Sequence, residues 1–259
     1  MFQKLIDIFI TYFHWLLFIS GIIIVFAFFP LLYVLSLLAK DQKFFFQAFL
    51  YYSFRTFFWV MERLIPRLTF KIDQRHSISK IRSSLIISNH LSYLDGIYLL
   101  SVIKNIIPII KPVYFKVPVL GWIIRLAGFI PARSENKLNM ESFYMLDRLE
   151  DHFQQGGNLL IFPEGKRSHT GELNKFKKGP FTLAKKLNVP IEVLQLQNTD
   201  LLFGRDKSLL FNTKDKNVIT LKRIGHIPSN GHVETCQERR PKKLKEDVYN
   251  IYINEMKKG

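Results

Sequence analysis

The sequence predicts an α/β domain, a mixed central sheet flanked by helices, carried behind an N-terminal apolar helical membrane anchor. Three observations predict it. From Ile8 to Ala39 the chain holds no formal charge, with His14 its one histidine. Beyond residue 63, short apolar runs alternate with segments whose apolar residues recur every three or four positions, and strands alternating with helices build a sheet with helices packed on it. One such segment ends in Gly156-Gly157, a helix-stop signature.

The elements follow in chain order. A membrane span needs roughly 20 apolar residues to cross a hydrocarbon core about 30 Å thick. The run over 8–39 is too long for one upright span and short for two. Gly21 and Pro30 interrupt it, which leaves open a tilted, kinked single span or a pair of helices that dips into one leaflet and returns. No small-x-small cleavage site follows, which argues against a signal peptide. Residues 44–61 concentrate Phe44, Phe45, Phe46, Tyr51, Tyr52 and Trp59 around Arg55. Aromatic rings with polar edges settle at the headgroup level, so an interfacial helix is expected here, with a core helix as the competing reading. Residues 1–62 thus form the anchoring segment and 63–259 the globular domain. Lys40, Lys43, Arg55, Arg63 and Arg67 crowd the C-terminal side of the apolar run, and the positive-inside rule places the domain in the cytoplasm.

Within the domain, Leu85–Ser88 reads as a buried strand and 96–106 as a helix. Residues 136–155 read as an amphipathic helix through Phe143, Leu146, Leu149 and Phe153. Leu159–Phe162, Ile191–Leu196 and Val218–Ile224 read as further strands. Near the C-terminus Arg239, Arg240, Lys242, Lys243 and Lys245 precede Leu244, Val248 and Ile251, which suits a solvated basic helix or a dock for anionic lipid.

Charge narrows the partners. The chain has 37 Lys+Arg against 21 Asp+Glu, a net +16, nearly all of it after residue 40. Such a domain attracts anions. The single cysteine, Cys236, excludes an internal disulfide and a Cys-rich metal site.

Two clusters carry chemistry. Ser88-Asn89-His90-Leu91-Ser92-Tyr93-Leu94-Asp95 follows the first buried strand. A neutral imidazole can take a proton from a hydroxyl, and a carboxylate on its other nitrogen would fix the tautomer. Five positions apart on one helix, two side chains point about 140° apart. His90 and Asp95 therefore meet only if His90 precedes the helix and Asp95 sits in its first turn. Of the seven histidines, only His90 has an acid five residues ahead. Ser92-x-x-Asp95 equally matches a helix capping box, and both readings can hold together. Phe162-Pro163-Glu164-Gly165-Lys166-Arg167-Ser168 follows the second strand. There a glycine beside two cations suits close approach to a phosphate, and Glu164 either orients a hydroxyl or pairs with Arg167. Gly128-Phe129-Ile130-Pro131-Ala132-Arg133 is a third candidate.

Taken in order, the three clusters resemble the lysophosphatidic acid acyltransferase family (1-acylglycerol-3-phosphate O-acyltransferases) of the wider glycerolipid acyltransferase superfamily. Asn89-His90 through Asp95 matches its N-H-x4-D block, Gly128–Arg133 its second block and Phe162–Ser168 its F-P-E-G-x-R-S block. Val189-Pro190-Ile191 is similar to the start of a fourth. The likeness covers roughly residues 84–200. Lys166 stands where the family usually has Thr, and Val193 where it usually has proline.

The resemblance implies that His90 and Asp95 are catalytic. It also implies that Arg133, Glu164, Gly165, Lys166 and Arg167 hold the glycerol phosphate. It implies membrane-bound transfer of a fatty acyl group from acyl-CoA or acyl-carrier protein to a lysolipid acceptor, with no cofactor, no metal and no nucleic-acid partner. The same reaction on another lysolipid, such as a lysophospholipid or lyso-ornithine lipid, and a non-catalytic basic membrane-binding module are the alternatives.

Overall fold

A computed structural model describes residues 2–132, 140–168, 170–202, 215–229 and 240–258. Arg133, Cys236, Arg239 and the side chain of Phe143 lie outside the described residues.

The apolar run is one helix, α1 (Phe2–Leu37), with Gly21 and Pro30 inside it. Its 36 residues rise about 54 Å at 1.5 Å each. Lys4–Leu37 is long and apolar enough to cross a membrane, by length and composition. Asp41 then caps α2 (Gln42–Leu64) by accepting the Phe44 N–H at 3.1 Å. The two helices pack antiparallel: the Phe18 ring meets Phe57 at 5.4 Å and the Phe29 ring meets Phe46 at 6.5 Å.

α2 departs from the expected interfacial helix over 44–61. Phe46, Leu50, Phe58 and Met61 are buried in the main core cluster, because they recur at the three-to-four-residue spacing that forms one helix face. Tyr52 and Trp59 stay exposed on the opposite side. α2 is therefore a core helix on one face and an aromatic surface on the other.

The described residues then form β1 (Leu68–Ile72), α3 (Arg75–Ser79), β2 (Leu85–Ser88), α4 (Asp95–Val102), β3 (Ile106–Ile110), a 3-10 turn over Pro112–Lys116 and α5 (Leu120–Leu126). After these come β4 (Ile130–Pro131), α6 (Met140–Gln154), β5 (Asn158–Ile161), α7 (Gly179–Leu187), β6 (Ile191–Gln197), β7 (Asn217–Ile227) and α8 (Pro241–Met256). The seven strands make one sheet in the order β1-β7-β6-β2-β5-β3-β4. β6 and β7 pair antiparallel and every other pair is parallel, so the sheet is mixed, as expected. All four residues of β2 and of β5 are buried, which fits strands covered on both faces.

The helix expected over 96–106 is shorter. Ile103 leaves helical geometry, Asn105 takes a left-handed φ of 51°, and the Ile-rich stretch from Ile106 forms β3, since β-branched side chains suit a pleated, buried strand. On the other side of the sheet centre, buried Glu192 holds Arg223 with two bonds of 2.6 and 2.8 Å and His226 Nδ1 at 2.9 Å. This pins β6 to β7 beside Val193. The buried Tyr252 hydroxyl of α8 donates to the Leu194 carbonyl at 2.5 Å, docking the C-terminal helix on the sheet.

Candidate active site

β2 ends at Ser88, and Asn89 continues its pairing with a side chain. Its Nδ2 donates to the Leu196 carbonyl at 2.8 Å and its Oδ1 accepts the Leu196 N–H at 2.7 Å. The amide thus imitates one more rung of the sheet, and the chain leaves the sheet at His90 in a fixed direction.

His90 Nδ1 lies 2.8 Å from Asp95 Oδ2. Asp95 opens α4 and is fully buried, while 22% of the His90 side chain is exposed. The same Oδ2 accepts the N–H groups of Leu91 at 2.6 Å and Ser92 at 2.8 Å. The Asp95 carboxylate reaches back to Ser92 as in a capping box, but α4 begins at Asp95 with Leu94 as its N-cap, so Ser92 does not cap the helix. The Ser92 hydroxyl accepts the Leu94 N–H and donates to the Leu202 carbonyl. With Asp95 accepting at Nδ1, the imidazole carries its proton there, and Nε2 is the basic nitrogen.

The loop after β5 holds His90 from the other side. The Phe162 ring stacks on the imidazole at 4.2 Å with planes 17° apart. The His90 N–H donates to Glu164 Oε1 at 2.9 Å, and its carbonyl accepts the Ser168 N–H at 2.8 Å. Both backbone groups of His90 are thereby fixed by one seven-residue stretch.

Glu164 takes a different position from the one expected. It is buried, and its second oxygen accepts the Asn174 N–H at 2.9 Å and side chain at 2.7 Å. It does not pair with Arg167 and has no open face for a substrate hydroxyl; it braces the His90 loop. Burial pushes its carboxyl above the ordinary value, and the donors from Asn174 and His90 pull it partly back.

Gly165 has a φ of 70°, and a Cβ there would lie 2.7 Å from Lys177 Cε. The glycine suits that backbone conformation, and the end of the lysine side chain lies over it. The Lys177 N–H bonds the Pro163 carbonyl at 2.8 Å, so this cation belongs to the loop. Lys166 is exposed beside it. The Arg167 guanidinium sits 3.3 Å over the Tyr93 ring, which ties it to the turn between His90 and Asp95. Its Nη1 is buried with no hydrogen-bond partner among the described residues, a state that suits an arriving anion. Gly128–Pro131 line a cleft of about 360 Å³ together with Lys43, Tyr144, Arg148 and His152.

The arrangement supplies a buried-acid-oriented general base beside several cations, which suits deprotonating a hydroxyl on an anionic molecule. The Acyltransferase family model matches residues 69–193. The 1-acyl-sn-glycerol-3-phosphate acyltransferase of Saccharomyces cerevisiae is 34% identical over 208 residues, covering 68% of this chain and 67% of that protein. The chloroplastic enzyme BAT2 of that name from Brassica napus is 34% identical over 138 residues, 53% of this chain. The chain spans only 40% of that relative's length. In fold, the chain is similar to the crystal structure of the 1-acyl-sn-glycerophosphate acyltransferase from Thermotoga maritima, with a TM-score of 0.72 at 20% identity over 98% of each chain.

Proposed function

Because the chain belongs to the 1-acyl-sn-glycerol-3-phosphate acyltransferase family, we propose that it moves a fatty acyl group from acyl-CoA or acyl-carrier protein to the free sn-2 hydroxyl of 1-acylglycerol 3-phosphate, giving phosphatidic acid. The observation that carries this reading is the 2.8 Å bond between His90 Nδ1 and Asp95 Oδ2, which aligns a base at the edge of a cationic loop.

In this mechanism His90 Nε2 takes the proton of the acceptor hydroxyl as its oxygen attacks the thioester carbonyl. The tetrahedral intermediate collapses, the carbon–sulfur bond breaks, and the imidazolium returns the proton to the departing thiolate. Asp95 stabilises the imidazolium without taking its proton. Arg167 and Lys166, with Gly165 giving close backbone approach and Arg133 from the second block, hold the acceptor phosphate. Glu164 acts through the loop and not on the substrate. The chain is membrane-associated through α1, and the basic residues that follow it support a cytoplasmic domain by the positive-inside rule. The exposed face of α2, with Tyr52 and Trp59, sits at the headgroup level.

Thiol release from acyl-CoA by membranes carrying the protein, with lysophosphatidic acid added, tests the proposal beside His90→Ala. Release that needs both the acceptor and His90, falling by roughly three powers of ten or more in the variant, is expected, with membrane partition unchanged. Near-normal turnover in His90→Ala would sink the mechanism. Release with other lysolipids only would move the acceptor, and none with either donor class would leave the basic membrane-binding module.

A further inference from the structure

The segment from the end of β3 into the first turn of α5 has an unusual surface. Val113 and Trp122 are 57% and 54% exposed, and Tyr114, Val117 and Leu120 are exposed beside them. Five large apolar side chains within ten residues form a patch of the kind that marks an interaction surface. The segment is also rigidly built. Val119 adopts φ 58°, ψ −53°, and the Leu120 N–H bonds the Pro118 carbonyl at 2.6 Å, a γ-turn of the rare left-handed sense that a β-branched residue disfavours. That turn buries Val119 in the core while its neighbours Val117 and Leu120 stay outside. Gly121 lets the Phe115 carbonyl come within 2.4 Å of where a Cβ would stand, folding the 3-10 turn tightly onto α5. The fold thus spends a strained turn on keeping apolar side chains out of its own core.

We propose that this patch is a second membrane contact, inserted into the headgroup region of an anionic bilayer beside α1. Two observations select a bilayer over another occupant. The patch continues the anchor, since the Trp122 ring meets Phe29 of α1 at 5.6 Å. Exposed Lys116 and Arg125 flank it, and tryptophan with nearby cations is the side-chain set of an anionic membrane interface. The location has a use. The segment leaves the carboxyl end of β3, which lies beside β5 and, next along the sheet, β2. Those parallel strands deliver the loop 162–168 and His90 at the same edge, so insertion sets the candidate site at the bilayer surface.

The test uses the full chain in vesicles of mixed zwitterionic and anionic phospholipid. Trp15→Phe with Trp59→Phe leaves Trp122 as the one tryptophan, since the chain has three. Lipids brominated near the headgroup should quench its emission at least about twofold, the depth expected of an interfacial tryptophan, and lipids brominated near the bilayer centre should quench it less. Adding Val113→Asp with Val117→Asp, both at exposed positions, should abolish most of that quenching. Quenching by aqueous iodide and not by brominated lipid would overturn the proposal. So would protection from both quenchers, which points to a second protein copy over the patch. Quenching unchanged by the two aspartates would also overturn it, because Trp122 would then touch lipid through α1 alone. None of these readouts depends on turnover, so the result stands apart from the acyl-transfer reading.

Discussion

Asp95 concentrates three donors on one oxygen: His90 Nδ1 and the N–H groups of Leu91 and Ser92. Asn at this position offers one oxygen and one amide that only donates. If the oxygen keeps the two backbone donors, the imidazole loses the acceptor that holds its proton on Nδ1. Asp95→Asn is expected to lower kcat by about a thousandfold with the fold intact. Steady-state thiol release with circular dichroism checks this, and a loss below tenfold would show that His90 is oriented without Asp95. Arg167→Lys keeps the charge but loses the flat face on Tyr93. The acceptor KM should then rise about tenfold with less change in kcat. At this scale the His90/Asp95 pair was legible, because a five-residue spacing at a strand end has one geometric solution. The role of Glu164 was not: it is fixed by His90, 74 positions away, and by Asn174. Periodicity carries no signal of such partners. Asn89 stood in the same motif, yet its rung to Leu196 spans 107 positions and was equally hidden.

α6 ends in a left-handed glycine cap. The Gly156 N–H bonds the Phe153 carbonyl at 2.9 Å, the Gly157 N–H bonds that of His152 at 2.8 Å, and Gly156 has a φ of 80°. The His152 ring occupies the space a Cβ on Gly157 would need, 2.1 Å from it. Gly157→Ala should therefore cost about 1–3 kcal/mol by overpacking, read by urea denaturation. His152 is also a pH sensor for stability. Burial first, and then Lys43, lowers its pKa from 6.5 to about 4. A histidine depressed in the folded state binds fewer protons there than when unfolded. Its contribution is full above pH 6.5 and is lost as pH falls toward 4. Between pH 7 and 4.5 the loss is about 2 kcal/mol. His152→Phe, which keeps the stack on Phe44, should remove that part of the slope; an unchanged slope would place it elsewhere. The glycine stop and four of the strands were readable from local pattern. β1 was missed although Leu68, Phe70 and Ile72 alternate with polar residues, because its partner β7 begins at residue 217 and no local feature announces that pairing. β3 was missed, its first residue Ile106 being taken for the end of a helix, since a short apolar run has no period to separate the two.

For the whole molecule, α2 is the joint between anchor and domain. It meets α1 through Phe57 and Phe46 and shares the core through Phe58, whose ring packs 5.0 Å from Tyr98 of α4 and 5.1 Å from Phe70 of β1. Phe58→Ala should cost about 3–5 kcal/mol, measured by denaturation in detergent. A separable anchor helix would show almost no effect on the domain's unfolding. The boundary expected at residue 62 therefore falls inside a helix that the domain needs, and composition concealed this because an aromatic-rich face suits both core and interface. The clamp on His90 has a consequence in time. The residues that fix its backbone, Glu164 and Ser168, and the Asn174 that steadies Glu164, are made long after His90 itself. Synthesis runs from the N-terminus, so the greasy leader and the histidine emerge while the imidazole still has no settled pose. Until Glu164 and Ser168 emerge, His90 has Asp95 for its ring but no partner for its backbone. Competence arrives as a late threshold of translation, when the downstream half closes over a histidine made some eighty residues earlier.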